Sequence, residues 1–184
     1  MTRKEMSEIF AVLLLAYPNA ETFKGGIAKL GPTISLWTKC LPEVDFWTGR
    51  QAVAKLVREC KFPPTIAEFR EKAEAIKADE ARRIDAAWGY VSLGLKLGET
   101  PEKIEEEWGE ETIIGKAIRL MGGAKALLVE KESVYGDGKK EKAVQYNFDA
   151  FASAYRTLLR KNYALGSGDQ RAIGYGQRQI GGKQ

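Results

Sequence analysis

Apolar residues recur every three or four positions through most of this chain, which is the spacing of one buried face of an α-helix. The first such series follows a capping box, in which Thr2 is paired with Glu5, and it ends before Pro18. Its members are Met6, Ile9, Phe10, Leu13, Leu14 and Tyr17. The pattern predicts an amphipathic first helix.

Residues 19 to 32 are predicted to form a loop, because glycine and proline fill four of these fourteen positions. The loop has room for a short turn of helix around Thr22 and Phe23. Two further helices are predicted, from 33 to 41 and from 46 to 60, and Asp45 is the predicted N-cap of the second. The apolar side of the first of them consists of Ile34, Trp37 and Leu41.

The best-defined feature of the sequence is a corner between two helices. Pro63 and Pro64 stop the preceding helix, because each removes a backbone donor and pushes the residue before it out of the α region. Thr65 then acts as the N-cap of the next helix, and Glu68 completes a capping box. Two aromatic residues are predicted to pin the corner by apolar contacts, Phe62 and Phe69.

The helical period continues beyond the corner through Ile84, Trp88, Val91 and Leu95. Two possibilities stay open: one continuous helix from Thr65 to about residue 97, or a new helix that starts near Asp79. The stretch from 72 to 83 is polar apart from Ile76 and alanines, which is typical of a solvated connection between two bundles.

In the second half, Thr100 and the proline after it open another helix, and a further helix is predicted from 113 to 121. Residues 127 to 129 are interpreted as a short apolar turn and 136 to 140 as a polar, flexible loop. Asn147 caps the last clear helix.

The predicted fold is therefore all-α, with two small helical bundles, 1 to 76 and 80 to 163, joined by a polar helical connection. Glycine fills six of the last nineteen positions. The segment from 164 to 184 has too little apolar surface to offset the entropy of ordering, so it is predicted to be a disordered tail.

Composition and charge limit the kinds of partner that the protein is expected to bind. Hydrophobic residues at 44% and charged residues at 29% are typical of a soluble globular protein. Lysine and arginine outnumber acidic residues by only 11 to 9 in residues 1 to 76 and balance them at 15 each in 77 to 163. Because no basic run is interleaved with aromatics, weak or no direct nucleic-acid binding is expected. The longest apolar run, 10 to 17, is too short to span a bilayer, so we expect a cytoplasmic protein without a membrane partner.

The residue types present argue against several kinds of catalytic and metal site. The chain has two cysteines and no histidine, which excludes a histidine-dependent nucleophile and disfavours a zinc or iron site. The acidic run from 102 to 111 is interpreted as a solvated face. A phosphate-binding Gly-x-x-x-x-Gly-Lys-Ser/Thr loop is absent. No catalytic, cofactor-binding or metal residue is therefore predicted. Three interpretations stay open, in order of preference: a protein-binding adaptor, a DNA-binding module and an unrecognised enzyme.

The first 76 residues resemble the N-terminal domain of phage proteins that load and inhibit the replicative DNA helicase. The resemblance rests on Trp37 with Leu41, Asp45 before an aromatic residue, Ala52-Val53, and the run Lys61-Phe-Pro-Pro-Thr-Ile-Ala-Glu-Phe-Arg70. This chain departs from the family in an insert at 25 to 31 and in its length after residue 76. Residues 80 to 163 resemble, more loosely, a helical domain of phage replication-module proteins.

The resemblance implies a non-enzymatic replication adaptor in a bacterial host cell, which binds the replicative helicase and controls its loading or activity. An origin-binding initiator is a candidate second partner. The alternative is a small helical DNA-binding replication protein. By position, and not by matched residues, the family's helicase contact falls on the C-terminal tail. The tail residues proposed for that contact are Arg171, Ile173, Tyr175, Arg178 and Ile180.

Overall fold

The structure is a computed structural model that describes residues 1–134 and 140–164. Its α-helices are α1 (Arg3–Ala16), α2 (Gly31–Cys40), α3 (Phe46–Glu59), α4 (Ile66–Lys96), α5 (Pro101–Trp108), α6 (Ile113–Leu120) and α7 (Phe148–Ala164). Short 3-10 helices occur at Glu21–Phe23, Ile27–Leu30 and Ala124–Leu127. Two strands, β1 (Leu128–Val134) and β2 (Lys140–Tyr146), form a small antiparallel sheet. The predicted all-α fold class is confirmed.

The chain divides into two compact units, Met1–Ala81 and Arg82–Gln184. The sequence allowed either one or two helices across the boundary between these units. The structure has one, α4, with 31 residues. Ala73 and Ile76, within the stretch predicted to be polar, are buried in the core of the first unit. The remainder of that stretch is helical, and Glu80 within it is also buried. Its interpretation as a solvated connection between two bundles stays a prediction.

Side chains satisfy the free amides at the start of α1 and α3, as the sequence predicts. Thr2 accepts a hydrogen bond from the amide of Glu5 at 3.2 Å, and the Glu5 carboxylate accepts one from the Thr2 amide at 2.7 Å. Asp45 accepts from the amide of Thr48 at 3.1 Å. Each cap fixes the residue at which its helix begins.

Aromatic rings connect the helices of the first unit. Phe10 of α1 lies edge-on to Trp37 of α2, with 5.1 Å between the ring centroids, and Trp37 lies edge-on to Phe69 of α4 at 5.4 Å. Phe23 extends the series from the loop, with its centroid 6.4 Å from that of Phe10. All four rings are buried. Such pairs contribute about 0.5–1.5 kcal/mol each beyond the burial of their area.

Polar contacts join α4 to the segment between α2 and α3. Arg70 donates a hydrogen bond to the Cys40 carbonyl at 2.7 Å, and its Nε lies 3.4 Å from the Glu43 carboxylate. Lys77 donates to the backbone carbonyl of Glu43. Because the last carbonyls of a helix have no partner within the helix, the Arg70 contact satisfies an acceptor at the end of α2.

The second unit has its own core. Phe151 of α7 is fully buried, with its ring centroid 5.2 Å from that of Trp88 and 5.6 Å from that of Tyr155. Aliphatic residues complete this core: Ile84, Val91, Ile104, Ile114, Ile118 and Leu127. At the junction of α5 and α6 only glycine fits at position 115, because a Cβ there would lie 1.7 Å from the carbonyl oxygen of Gly109.

The hairpin formed by β1 and β2 was not predicted. Residues 127 to 129, interpreted from sequence as an apolar turn, instead end a 3-10 helix and begin β1, where Leu128 lies opposite Tyr146. The side chains of 142 to 146 are all exposed. A ribbon without a buried face shows no two-residue alternation of apolar and polar positions, so the sequence pattern could not reveal it.

Two predicted segments lie almost entirely outside the described residues. Of the loop at 136 to 140, only Lys140 is described, and it begins β2. Of the tail at 164 to 184, only Ala164 is described, and it ends α7. The predicted disorder of the tail stays a prediction.

Replacing Trp37 by alanine is expected to lower the free energy of unfolding by about 3–5 kcal/mol, because the ring contacts both Phe10 and Phe69 in the core. Urea denaturation followed by circular dichroism measures the change. Leu36→Ala is the matched control, since Leu36 lies on the same helix and is 54% exposed. The control should change stability by about 0.5 kcal/mol or less. A Trp37→Ala variant as stable as the control would show that Trp37 is not a core residue.

Candidate interaction surface

The residues predicted from sequence to contact a partner, Arg171, Ile173, Tyr175, Arg178 and Ile180, lie outside the described residues. The described part of the first unit presents another surface, where the end of α1 meets the corner between α3 and α4. We call it the corner surface and define it as residues 15–22 and 61–63. It combines a cleft with exposed apolar side chains.

The path of the chain at this corner follows from the two prolines and the cap. α3 ends at Glu59, and Cys60 is already extended, with φ −101° and ψ 133°. Thr65 donates to the Glu68 carboxylate from its amide at 2.7 Å and from its hydroxyl at 2.8 Å. The Glu68 amide donates back to the Thr65 hydroxyl at 3.2 Å. The backbone hydrogen bond from Thr65 is the main reason that the pKa of Glu68 lies below its usual range.

The cleft has a volume of about 580 Å³. It is lined by Ala16, Tyr17, Pro18, Asn19, Ala20, Glu21, Thr22, Lys61, Phe62 and Pro63. The Tyr17 hydroxyl donates to the Cys60 carbonyl at 3.0 Å and lies 3.5 Å from the Leu56 carbonyl, which ties the end of α1 to the end of α3. Partial burial raises the pKa of Tyr17, so the phenol stays protonated as this donor. The volume falls in the range of small-ligand sites.

Two large apolar side chains of the corner surface face solvent: Leu15 is 79% exposed and Phe62 is 70% exposed. The amino group of Lys61 lies 5.7 Å from the centroid of the Phe62 ring. The expectation that both Phe62 and Phe69 pin the corner is therefore wrong for Phe62. α3 ends at Glu59 and α4 begins only at Ile66, so Phe62 lies in neither helix. Phe69 lies within α4 and is buried in the core.

The corner surface offers contacts and no evident catalytic chemistry. Its titratable lining groups are Tyr17, Glu21 and Lys61, and Glu21 is paired with Lys24 at 2.5 Å. Within residues 1–134 and 140–164, no three or more acidic or cysteine side chains are grouped so that they could hold a metal ion. In the same residues, no helix is long and apolar enough to cross a membrane.

The acidic run from 102 to 111 takes part in the packing of the second unit. The Glu105 carboxylate accepts a hydrogen bond from the amide of Ala124 at 2.8 Å and lies 3.5 Å from Arg119. Glu110 pairs with the same arginine at 3.0 Å. The Glu105 side chain, which is 23% exposed, thus joins α5 to α6 and to the following turn, whereas the Glu110 side chain is 79% exposed.

Sequence reasoning missed the corner surface because it assigned Tyr17 and Phe62 to apolar contacts. Two local features of the sequence indicate that surface. An aromatic residue placed between the end of one helix and two prolines lies outside the periodic apolar series of both helices. Leu15 gave a second signal, since it lies outside the series of buried positions in α1.

Comparison with known proteins bears on the first unit. Residues 1–70 match the family model for the N-terminal domain of the gp39 family of phage helicase loaders and inhibitors. The resemblance of the N-terminal part to that family is thereby confirmed, and it indicates a helicase-related phage replication protein. No curated protein and no solved structure matches the chain. The looser resemblance of residues 80 to 163 stays a prediction.

Replacing Thr65 by alanine is expected to cost about 1 kcal/mol of stability near neutral pH, because the cap of α4 is lost. Since the pKa of Glu68 is lowered in the folded protein, its contribution is complete above the ordinary value of 4.5 and is lost as pH falls through the lower folded value. Thr65→Ala keeps the backbone amide that donates to Glu68 and removes only the hydroxyl donor. The stability difference between wild type and Thr65→Ala should therefore shrink on acidification only by the part that comes from the hydroxyl–carboxylate hydrogen bond.

Urea titrations at a series of pH values between neutral and strongly acidic test this expectation, with Thr65→Ser as the control that keeps the hydroxyl. A difference that stays constant as Glu68 becomes protonated would show that the hydrogen bond from the Thr65 hydroxyl to the carboxylate contributes nothing to the cap.

Proposed function

We propose that this chain, whose first 70 residues match the N-terminal domain of the gp39 family, is a phage DNA-replication adaptor that binds the replicative helicase. It controls the loading or activity of the helicase, and an origin-bound initiator releases the helicase onto DNA. The family match is the observation that carries this proposal.

The proposal assigns no reaction to the chain itself. It is supported by the absence of histidine and of a phosphate-binding loop from the sequence. A loader of the ATPase kind requires backbone amides and a lysine around the nucleotide phosphates. The adaptor works instead by binding energy, which shifts the helicase between inactive and loaded states.

The direct test is binding between the full chain and the purified replicative helicase of the host. Biolayer interferometry with the immobilised full chain measures the dissociation constant. A saturable signal with the helicase, and none with an unrelated hexameric ATPase, is the expected result. The absence of binding to the helicases of both host and phage would overturn the proposal.

Deleting residues 166–184 is expected to weaken helicase binding tenfold or more, which corresponds to about 1.4 kcal/mol. The reason is the position of the family's helicase contact, and the tail offers Tyr175 with two isoleucines as apolar anchors and arginines for acidic groups. Circular dichroism and the melting temperature should barely change. A matched variant with Arg171, Tyr175 and Arg178 replaced by serine separates tail length from tail chemistry. Unchanged affinity in the truncated protein would move the helicase contact to the helical units.

The protein is expected neither to bind nor to hydrolyse ATP, because the sequence has no phosphate-binding loop. Isothermal titration calorimetry with ATP and Mg²⁺ measures binding, and phosphate release measures turnover. Saturable heat from the purified chain would replace the adaptor by an ATPase loader.

A further inference from the structure

The basic residues of the first unit are not spread evenly over its surface. α3 and the corner after it carry Arg50, Lys55, Arg58 and Lys61, and all four are exposed. On a helix of 3.6 residues per turn, Arg50, Ala54 and Arg58 share one side, with Lys55 beside them. The buried side of α3 is the opposite one and is formed by Thr48, Gly49, Ala52, Val53 and Leu56. The solvent side of α3 thus carries three cations.

The acidic residues nearest in sequence are engaged elsewhere. Glu59 lies 2.5 Å from Lys72, and Glu68 accepts the hydrogen bonds of Thr65. In the part of the chain that the structure describes, Lys55 and Arg58 form no ion pair. The small net charge of the first 76 residues therefore conceals a helix face with uncompensated positive charge.

The ordinary explanation for cations near a helix C-terminus is their interaction with the helix dipole. It accounts for Arg58, the one basic residue of the last turn. It does not account for Arg50, which lies in the first half of α3 and whose guanidinium is 5.8 Å from the centroid of the Phe46 ring. Arg50 and Arg58 are separated by about 12 Å along the helix axis. That length suits an extended anionic ligand better than a single ion.

A fourth cation, Lys61, follows the end of α3 and lines the cleft of the corner surface. The Tyr17 hydroxyl donates to the Cys60 carbonyl just before it. Beside Lys61 the Phe62 ring is 70% exposed. A row of cations that ends at an exposed aromatic ring and an open cleft is the combination used to bind single-stranded nucleic acid, in which cations follow the phosphates and aromatic rings stack on bases.

A protein partner would need a different surface. The centres of protein interfaces are depleted in lysine and depend on large apolar anchors. Between Arg50 and Arg58, α3 offers solvent no large apolar side chain besides its cations, only Ala54 and the partly exposed Gln51 and Val57. Duplex DNA would use the cations and leave Phe62 unused, because its bases are already stacked.

We propose that the exposed face of α3, together with Phe62 and the cleft beside it, binds single-stranded DNA. The phosphates lie along Arg50, Lys55 and Arg58, and one unstacked base lies against Phe62. This reverses the expectation of weak or no nucleic-acid binding drawn from the linear sequence. The site does not depend on the proposed helicase contact and is tested without the helicase.

The test is fluorescence anisotropy of a 20-nucleotide 5′-fluorescein oligo(dT) titrated with the full chain between 50 and 300 mM NaCl. Lys55→Glu/Arg58→Glu is expected to weaken binding tenfold or more at 50 mM NaCl. The neutral variant Lys55→Gln/Arg58→Gln should reduce the slope of log affinity against log salt by about 1.4, since each phosphate contact on a single strand contributes about 0.7. Phe62→Ala should weaken binding about tenfold and leave that slope unchanged.

Lys29→Glu/Lys39→Glu is the matched control, because it makes the same charge change at two exposed lysines outside α3. It should retain most of the affinity, and thermal melts establish that every variant is folded. The proposal is overturned if the wild type does not bind oligo(dT), or if the control loses as much affinity as the α3 variant. It is equally overturned if a 20-base-pair duplex binds more tightly than the single strand. Loss of helicase affinity in the α3 variants with unchanged oligo(dT) binding would make this face a protein interface instead.

Discussion

The edge-to-face series of Phe10, Trp37 and Phe69 is the interaction on which the first unit depends, because it joins three helices that cannot bury their apolar faces separately. Phe69 reaches this series only if α4 begins at the right residue. Phe69, Ala73 and Ile76 lie on the buried face of α4, and the helix must begin early enough for Phe69 to be part of that face. The Thr65–Glu68 cap after two prolines fixes that start. A local feature of four residues thus sets the geometry of a core formed by residues far apart in sequence.

The same corner explains why Phe62 is exposed. The prolines that let α4 begin at a defined residue also hold the chain extended before the cap, where the Phe62 side chain is 70% exposed. Folding therefore gives no reason for a phenylalanine at position 62, since a polar residue would satisfy the same backbone. With the cleft and Lys61 beside it, the side chain is better explained by contact with another molecule. Single exposed apolar residues are common on proteins, so the neighbours of Phe62, more than its exposure, support this conclusion.

The sequence was sufficient wherever structure is determined locally. Caps at Thr2, Asp45 and Thr65 could be predicted, because a side chain three residues away satisfies the first amides of a helix. Two kinds of feature could not be predicted. The hairpin of β1 and β2 is exposed and has no apolar period, and ion pairs such as Arg70 with Glu43 join a helix to a loop far away in sequence. Without knowledge of those pairs, a count of charges along the chain shows near balance. The uncompensated cations of α3 become visible only when the acids are assigned to their partners.

The two proposed contacts differ in chemistry and in location along the chain. The helicase contact, by resemblance, uses the tail that follows α7, whereas the DNA contact uses α3 and the corner surface of the first unit. Separate surfaces allow one chain to hold both partners at once, and tethering then raises the effective concentration of single-stranded DNA near the helicase. Such a tether requires only a weak DNA contact. A face with three cations and one aromatic ring, sensitive to salt and without the dense basic patch of a dedicated DNA-binding protein, is suited to a contact that must form and release as the helicase is loaded.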